Sequence, residues 1–302
     1  MRPAREGMGR GDGTEATDSG RTRGNGPWPH LLLAWPSVAL VGLFVLPLGI
    51  IVAVSVFRRL PAGFFEPALV ITNYQRALEP FHLERLGISV ALALAATLIC
   101  LAVGVPFTYL LARRPRSRQV PFLVLVLASL SLSEVIVSFT WSVLLSRTSG
   151  LSNALVWLGL RSEPAAWSPG LTAVVLAYVF VALPLAVLSL YPTMSRLNPE
   201  LPEAAGTMGA SPLRGFTTVV LPLMRAPIAA TGALVFIFVL GAYVIPQTLG
   251  RPAQWTIPVH ITDQAVMKAN LPLASALAIV LLVTSALVSL LVLALGARRR
   301  MP

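Results

Sequence analysis

The chain has 302 residues, of which 56% are hydrophobic and 12% charged, and its formal net charge is +11. A composition this apolar lies outside the range of soluble globular proteins and indicates an integral membrane protein. The single cysteine, Cys100, excludes an intrachain disulfide and any zinc site built from cysteines.

Residues 1–29 are rich in Gly, Arg, Thr, Asp and Pro and show no apolar periodicity, so we predict a disordered N-terminal tail. They do not resemble a cleavable signal peptide, because the apolar segment that follows is too long and ends in Phe57-Arg58-Arg59. We therefore expect this segment to remain as a membrane anchor.

Long apolar segments follow along the rest of the chain. A helix needs about 20 mostly apolar residues to cross about 30 Å of hydrocarbon. By this criterion residues 30–297 form one membrane domain, followed by a short tail, 298–302. The predicted spans are 31–57, 86–112, 120–145, 171–190, 226–249 and 273–296. The predicted fold class is therefore all-α, a polytopic membrane protein with six transmembrane helices.

The third predicted span contains Glu134, the one acid within the six spans. An ionised carboxylate at that depth is costly unless it faces water or a partner. On a continuous helix, Ser131, Glu134, Ser138 and Trp141 would form a polar and aromatic stripe on one face. If that face lines a pathway, Glu134 could hold an ammonium group and Trp141 could stack on it. Alternatively, a protonated Glu134 bonds across a helix interface and Trp141 anchors at the outer membrane surface.

The loop between the fourth and fifth spans, residues 192–225, carries signals for two short helices. Asn198 followed by Pro199 and Glu200 is a helix start, and Gly209 stands where that helix would need a left-handed residue to stop. Ser211-Pro212 repeats the start signal for a second helix. The sequence thus predicts a helix–turn–helix on the membrane face. Such an element suits a surface moved by a partner, although a short amphipathic helix resting at the interface would give a similar pattern.

The fifth predicted span contains a second candidate patch. Tyr243 and Gln247 lie four residues apart, beside Gly241 and Pro246. The proline could bend the helix and free backbone carbonyls, which is a common way to build a binding site or hinge. Alternatively, Pro246 only ends the span early.

The distribution of Arg and Lys predicts the orientation, because these residues are retained on the cytoplasmic side. One side carries fifteen of the 23, namely Arg2, Arg5, Arg10, Arg21, Arg23, Arg113, Arg114, Arg116, Arg118, Arg196, Arg214, Arg225, Arg298, Arg299 and Arg300. The other side carries eight, namely Arg58, Arg59, Arg76, Arg85, Arg147, Arg161, Arg251 and Lys268. Both termini and the loop 192–225 are therefore predicted to face the cytoplasm. Topology and anionic lipid explain the net charge, so no nucleic-acid partner is needed.

No motif for catalysis, nucleotide or metal binding is visible in the sequence. There is no Gly-rich loop ending in Gly-Lys-Ser/Thr, and the only lysine, Lys268, is predicted on the side opposite the cytoplasm. His30, His82 and His260 show no metal-ligand spacing. We predict that the chain is not an enzyme and binds no cofactor or metal itself.

The loop also carries a family resemblance. Glu203-Ala204-Ala205, Gly209, Val219 and Leu221-Pro222 are spaced as in the signature loop of the inner-membrane permease subunits of bacterial binding-protein-dependent ABC importers, which the chain resembles. Other segments are similar to the spermidine/putrescine permease branch of that family. They include Thr72-Asn73-Tyr74, Gly104-Val105-Pro106 and Gly150-Leu151-Ser152-Asn153.

The resemblance implies a mechanism and partners. The loop would form a cytoplasmic coupling helix seated in a separate ABC ATPase dimer, which binds ATP and Mg. Glu203 would make the polar contact, Ala204 and Ala205 would keep the helix slim, and Gly209 would permit the turn before Leu221-Pro222. The other partners implied are a second, related permease chain and an extracytoplasmic solute-binding protein. The implied location is the bacterial inner membrane.

The resemblance implies a polyamine as the first candidate solute, with thiamine, ferric iron, and phosphonate-like or opine-like compounds as alternatives. An Arg often expected shortly before the Trp of the third span is absent here, where Val137 stands. Two other classes remain open. A stand-alone secondary transporter would typically show internal repeats and more buried ionisable groups, and a membrane scaffold would tolerate changes at Glu203 and Gly209.

Overall fold

The structure is a computed structural model, and it describes residues 28–60, 65–148, 150–160 and 162–297. The predicted disordered N-terminal tail, apart from its last two residues, and the C-terminal tail lie outside these ranges. A helix begins at Trp28, so it includes the last two residues of the predicted tail, 28 and 29. The chain divides into two compact units, residues 1–48 and 49–302. In the first, the structure describes an apolar helix segment, and the second contains the elements that form the site.

Helices make up most of the described chain. They are α1 Trp28–Ser55, α2 Thr72–Ala77, α3 Pro80–Ala112, α4 Arg116–Leu130, α5 Glu134–Leu144, α6 Leu151–Trp157, α7 Leu171–Met194, α8 Glu200–Thr207, α9 Pro212–Gly215, α10 Leu221–Leu223, α11 Arg225–Gly241, α12 Val244–Leu249, α13 Ile257–Thr262 and α14 Leu271–Ala297. Wider π-helical turns occupy Phe216–Val220 and Asp263–Met267, and a 3₁₀ turn occupies Pro252–Gln254. A short antiparallel hairpin pairs β1 (Arg58–Arg59) with β2 (Phe65–Glu66).

Four of the described helices are long and apolar enough to cross a membrane, over Pro36–Ser55, Pro80–Ala112, Leu171–Met194 and Leu271–Gly296. Two bent helix pairs bring the number to as many as six. The predicted fold class, an all-α polytopic membrane protein, is confirmed.

The third span is not the continuous helix that we predicted. α4 ends at Leu130, α5 begins at Glu134, and the two helices are bent by 94° at the break. Ser131 and Ser133 flank the break, and serine hydroxyls compete with backbone groups for hydrogen bonds. The Ser131 hydroxyl bonds back to the Leu127 carbonyl at 3.3 Å, and Ser133 adopts an extended conformation. The predicted stripe is therefore wrong for Ser131, which belongs to the end of a different helix from Glu134, Ser138 and Trp141.

The fifth span is interrupted as well. α11 ends at Gly241, Ala242 is extended, and α12 resumes at Val244. Pro246 accounts for the position of the break, because a proline removes one amide donor and its ring clashes with the carbonyl four residues earlier, here Ala242. The helix resumes beyond the proline as far as Leu249, so Pro246 marks an interruption inside the segment and not its end.

The core of the second unit lies where α3, α7 and α11 meet, with α5 and α12 packed against it. Small residues let these helices approach closely, as is usual between membrane helices. Ala93 and Ala96 of α3 and Ala177 and Ala182 of α7 have no exposed surface. Cys100 is buried in the same core, where its thiol faces the Val179 carbonyl at 3.8 Å.

Candidate functional site

The loop between α7 and α11 forms the predicted helix–turn–helix. The Asn198 side-chain oxygen accepts a hydrogen bond from the Glu200 backbone N–H at 3.1 Å, at the start of α8. Gly209 has φ +86°, a left-handed conformation that ends this helix. The Ser211 hydroxyl accepts from the Arg214 backbone N–H at 3.3 Å and caps α9. The three local signals read from the sequence therefore have the predicted geometry.

The exposed surface of this loop combines charged residues, among them Glu200, Glu203 and Arg214, with apolar ones. Glu203 and Ala204 are exposed, whereas Ala205 is half-buried against α9 near Gly215. Met208 and Leu213 are exposed as well, at 89% and 72%. Sequence reasoning missed these two residues, although two large apolar side chains beside a polar turn were visible in the sequence. Exposed apolar groups next to a carboxylate suit a protein partner.

The opposite side of the loop is fixed to the spans. Val220 and Met224 are buried with Leu190 and Met194 of α7, and the predicted loop residue Leu221 packs against this cluster. Pro222 is exposed. Phe216 lies against Tyr109 of α3, with ring centroids 5.0 Å apart. A displacement of the loop would therefore be transmitted directly to α3 and α7.

Inside the membrane region, Glu134 connects the two interrupted spans. It is the first residue of α5, and its carboxylate lies beside the backbone of Ile245, near the start of α12. The oxygen Oε1 is buried without a hydrogen-bond partner among the described residues. The carboxylate thus lies where the two interrupted spans meet, with a buried acceptor that a further partner could use.

The other predicted pathway residues take different positions. The Ser138 hydroxyl donates a hydrogen bond to the Glu134 backbone carbonyl at 2.8 Å, within its own helix. Trp141 is half-buried and packs edge-on against Phe180, with ring centroids 6.0 Å apart. Tyr243 and Gln247 are both exposed, on successive turns at the start of α12. The contact between α5 and α12 brings these two residues close to the Glu134 break, which the linear sequence could not show.

Tyr178 of α7 is a site residue that the sequence analysis did not select. It is 2% exposed and lies near both the Glu134 carboxylate and the Thr256 side chain. Its phenol is a polar group in the apolar middle of the span, which is the signal that could have found it.

A second cluster of aromatic and basic side chains lies around the start of α3 and α13. The Arg85 guanidinium lies over the Phe81 ring, 5.1 Å from its centroid, and the His260 ring meets Phe81 edge-on at 5.3 Å. Burial lowers the pKa of His260, and the positive charges of Arg85, His82 and Lys268 act in the same direction, against Asp263. Among the described residues, no group of three His, Cys, Asp or Glu side chains could hold a metal ion.

Interrupted spans around an intramembrane carboxylate are common in membrane transport proteins. Residues 104–301 match the family described as the binding-protein-dependent transport system inner membrane component, and the chain belongs to this family. It is therefore a membrane-embedded permease subunit of a binding-protein-dependent transport system.

Several known permeases are similar to the chain. The spermidine/putrescine transport system permease protein PotB of Escherichia coli K12 is 33% identical over 217 residues, which cover 70% of this chain and 79% of PotB. PotB of Salmonella typhimurium SL1344 is 31% identical over 258 residues, covering 84% and 90%. The molybdenum transport system permease protein ModB of Mycobacterium bovis is 33% identical over 223 residues, covering 72% and 80%.

The fold is also similar to that of solved importers. A chain of a bacterial ABC transporter that imports the acidic polysaccharide alginate matches with a TM-score of 0.70 and 18% identity, covering 91% of this chain and 97% of that one. A second structure of an alginate transporter, in complex with a pentasaccharide-bound periplasmic protein, also matches with a TM-score of 0.70, at 15% identity. At these identities the match establishes the fold alone.

Proposed function

We propose that the chain forms half of the solute pathway of an ATP-driven importer and that the 203–222 loop couples it to a separate cytoplasmic ATPase. The ATPase dimer would bind ATP and Mg, and the permease chain would have no catalytic site of its own. The geometry of the loop supports this role. Its outer surface exposes Glu203, Met208 and Leu213, while its inner side packs on α7 through Val220 and Met224.

The proposed complex contains two further partners. A second permease chain, related to this one, would supply the other half of the pathway, and an extracytoplasmic binding protein would deliver the solute. The complex of an alginate importer with its periplasmic protein supports the second of these partners. The excess of basic residues in alternate loops supports an orientation with both termini in the cytoplasm.

The proposed solute is a polyamine such as spermidine or putrescine, and the observation that carries this proposal is the free carboxylate oxygen of Glu134. The similarity to PotB of Escherichia coli and of Salmonella typhimurium supports the same class of solute. A buried acceptor on an acidic side chain favours a cation, since charge-assisted hydrogen bonds are strong where water is scarce. An ammonium group would satisfy Oε1.

Transport of spermidine by the complete reconstituted complex tests this assignment. Glu134→Gln keeps the size and shape of the side chain, so the break should keep its geometry while the charge is lost. A hydrogen bond to a charged group is worth about 1.5–3 kcal/mol, so the KM for spermidine should rise about tenfold or more. Glu84→Gln is the matched control, because that side chain is 65% exposed at the start of α3. It should leave the KM near the wild-type value.

Three results would contradict parts of the proposal. Unchanged spermidine transport by Glu134→Gln would remove this carboxylate from the pathway. Transport of molybdate, thiamine or ferric iron in place of spermidine by the wild-type complex would select another solute. Uptake by this chain alone, without an ATPase or binding protein, would favour a secondary transporter.

A further inference from the structure

A groove between α4 and α7 has a polar end with a single charged group. A pocket of about 380 Å³ there is lined by Arg116, Gln119, Tyr191 and Ser195, together with three apolar residues. The Gln119 amide nitrogen donates to the carbonyl of Arg114 at 2.6 Å, and its oxygen accepts from the Tyr191 hydroxyl at 2.5 Å. These bonds occupy the polar atoms of Gln119, so the guanidinium of Arg116 is the charged group that the pocket offers to a ligand.

Farther along the same two helices the groove becomes apolar. A pocket of about 540 Å³ lies between α4, α7 and the middle of α3, and Leu125, Val126 and Val187 are among its lining residues. Its one hydroxyl, on Ser129, is bonded to the Val126 carbonyl at 2.7 Å. This part of the groove therefore offers no polar partner and suits a hydrocarbon chain.

The two pockets follow one another on the same face of α7. Pro184 and Val187 line the apolar pocket, whereas Tyr191 and Ser195 line the basic one. Spacings of three and four residues keep these side chains on one face of a helix, and from Pro184 to Ser195 the axial rise is about 16 Å. A ligand that fills both pockets must therefore be long, apolar over most of its length and anionic at one end.

The turn between α3 and α4 strengthens the positive charge at the polar end. Arg113, Arg114, Arg116 and Arg118 fall within six residues. Neither of the two ion pairs found among the described residues involves any of them. Arg113 lies over the Tyr109 ring, 4.6 Å from its centroid, which holds it beside the turn.

We propose that this groove binds an anionic phospholipid, with its phosphate at Arg116 and one acyl chain in the apolar pocket. Basic pockets between transmembrane helices on the cytoplasmic side are suited to anionic headgroups. A soluble phosphate would use only the basic pocket, and a zwitterionic lipid would bring its own cation to the arginines. Only a lipid with a net negative headgroup satisfies both parts of the groove.

Native mass spectrometry of the delipidated complete complex, titrated with phosphatidylglycerol or phosphatidylcholine, tests the proposal. The wild-type complex should retain phosphatidylglycerol more tightly than phosphatidylcholine. A direct hydrogen bond between the Arg116 guanidinium and the phosphate would be worth about 1.5–3 kcal/mol, so Arg116→Gln should weaken phosphatidylglycerol binding about tenfold or more. Arg118→Gln is the matched control, because it removes the same charge from the same turn but lines neither pocket. It should lose only the diffuse attraction of about 1 kcal/mol, and so weaken binding about fivefold at most.

A second variant tests the apolar pocket. Ala128 lines it and is exposed, so Ala128→Phe should fill the pocket without disturbing the packed core. This variant should lose the tightly bound lipid while the thermal unfolding midpoint of the complex stays unchanged.

Four outcomes would overturn the proposal. Equal losses in Arg116→Gln and Arg118→Gln would indicate diffuse surface attraction, and unchanged binding in Ala128→Phe would leave the acyl chain without a site. Displacement of the lipid by glycerophosphate alone would indicate a simple anion site. Equal retention of phosphatidylcholine would show that the headgroup charge does not matter.

Discussion

Replacement of Gly209 tests the proposed coupling loop most directly. Gly209 has φ +86°, and no atom lies within 4 Å of the position that a Cβ would take. A side chain here therefore meets no steric clash, and its cost is the backbone strain of an L-residue in the left-handed region, about 1–2 kcal/mol. A β-branched residue should lie at the upper end of this range, because such a residue is a true outlier at positive φ. The strain is relieved if the turn opens and α8 rotates away from α9.

Gly209→Val should consequently leave the chain inserted in the membrane but uncouple it from its ATPase. A strain of about 1–2 kcal/mol shifts the balance between native and relaxed turn by about 5- to 30-fold. The assays are ATP hydrolysis stimulated by the loaded binding protein, and solute uptake, both in the reconstituted complex. Both activities should fall together.

Gly159→Val is the matched control for Gly209→Val. Gly159 has φ +71° and equally open surroundings, but it follows α6, far along the chain from the coupling loop. Both variants should carry similar strain, and only the change at Gly209 should uncouple transport. Normal stimulated hydrolysis and uptake in Gly209→Val, or equal losses in the two variants, would refute the reasoning.

Two further predictions concern stability. Gly150 and Gly159 have similar positive φ values, but a Cβ at Gly150 would overlap the backbone of Leu144, whereas a Cβ at Gly159 would meet no atom within 4 Å. Gly150→Ala should therefore lower the thermal unfolding midpoint clearly more than Gly159→Ala. Equal midpoints would contradict this prediction. Burial lowers the pKa of His260 in the folded chain. As the pH falls through about 6.5, His260 is therefore protonated in the unfolded chain before it is protonated in the folded one, and the folded state loses stability. When the pH is lowered from about 7.5 to about 5.5, the thermal unfolding midpoint should fall less in His260→Gln than in wild type. Equal decreases would contradict the assignment.

The helix–turn–helix between α7 and α11 was predictable because its signals are local. Asn198, Gly209 and Ser211 each act on backbone groups within a few residues, so their types and spacing determine the turn without reference to the rest of the chain. The all-α membrane fold was predictable for a similar reason, since hydropathy depends only on composition along a window. Neither inference needed knowledge of which helices touch.

The interruptions of the third and fifth spans were harder to predict. A hydropathy window counts apolar residues whether or not the backbone is continuous, so Ser131 and Ser133 passed unnoticed inside an apolar segment. Pro246 was visible, but a proline alone does not say whether a helix ends or resumes. The approach of Glu134 to Ile245 joins distant parts of the sequence. It depends on the packing of α5 against α12, which no local pattern encodes.

The arrangement of continuous and interrupted helices suggests how the proposed coupling would reach the pathway. α7 runs as one helix from Leu171 to Met194. Near its end Leu190 and Met194 contact the loop, and Tyr178 near its other end lies beside Glu134. From Tyr178 to Met194 the axial rise is about 24 Å. A tilt of α7 imposed at the loop would therefore move Tyr178, beside the Glu134 carboxylate, through one continuous helix.

The breaks in the third and fifth spans lie at the receiving end of that element. Hinges are short segments that absorb changes in backbone dihedrals while the helices on either side stay intact. Residues 131–133 and 242–243 have this character, and Glu134 lies beside Ile245 where the two segments meet. A movement of α7 under the proposed coupling would therefore open or close the two breaks together. The affinity of Glu134 for a cation would then change with the state of the loop.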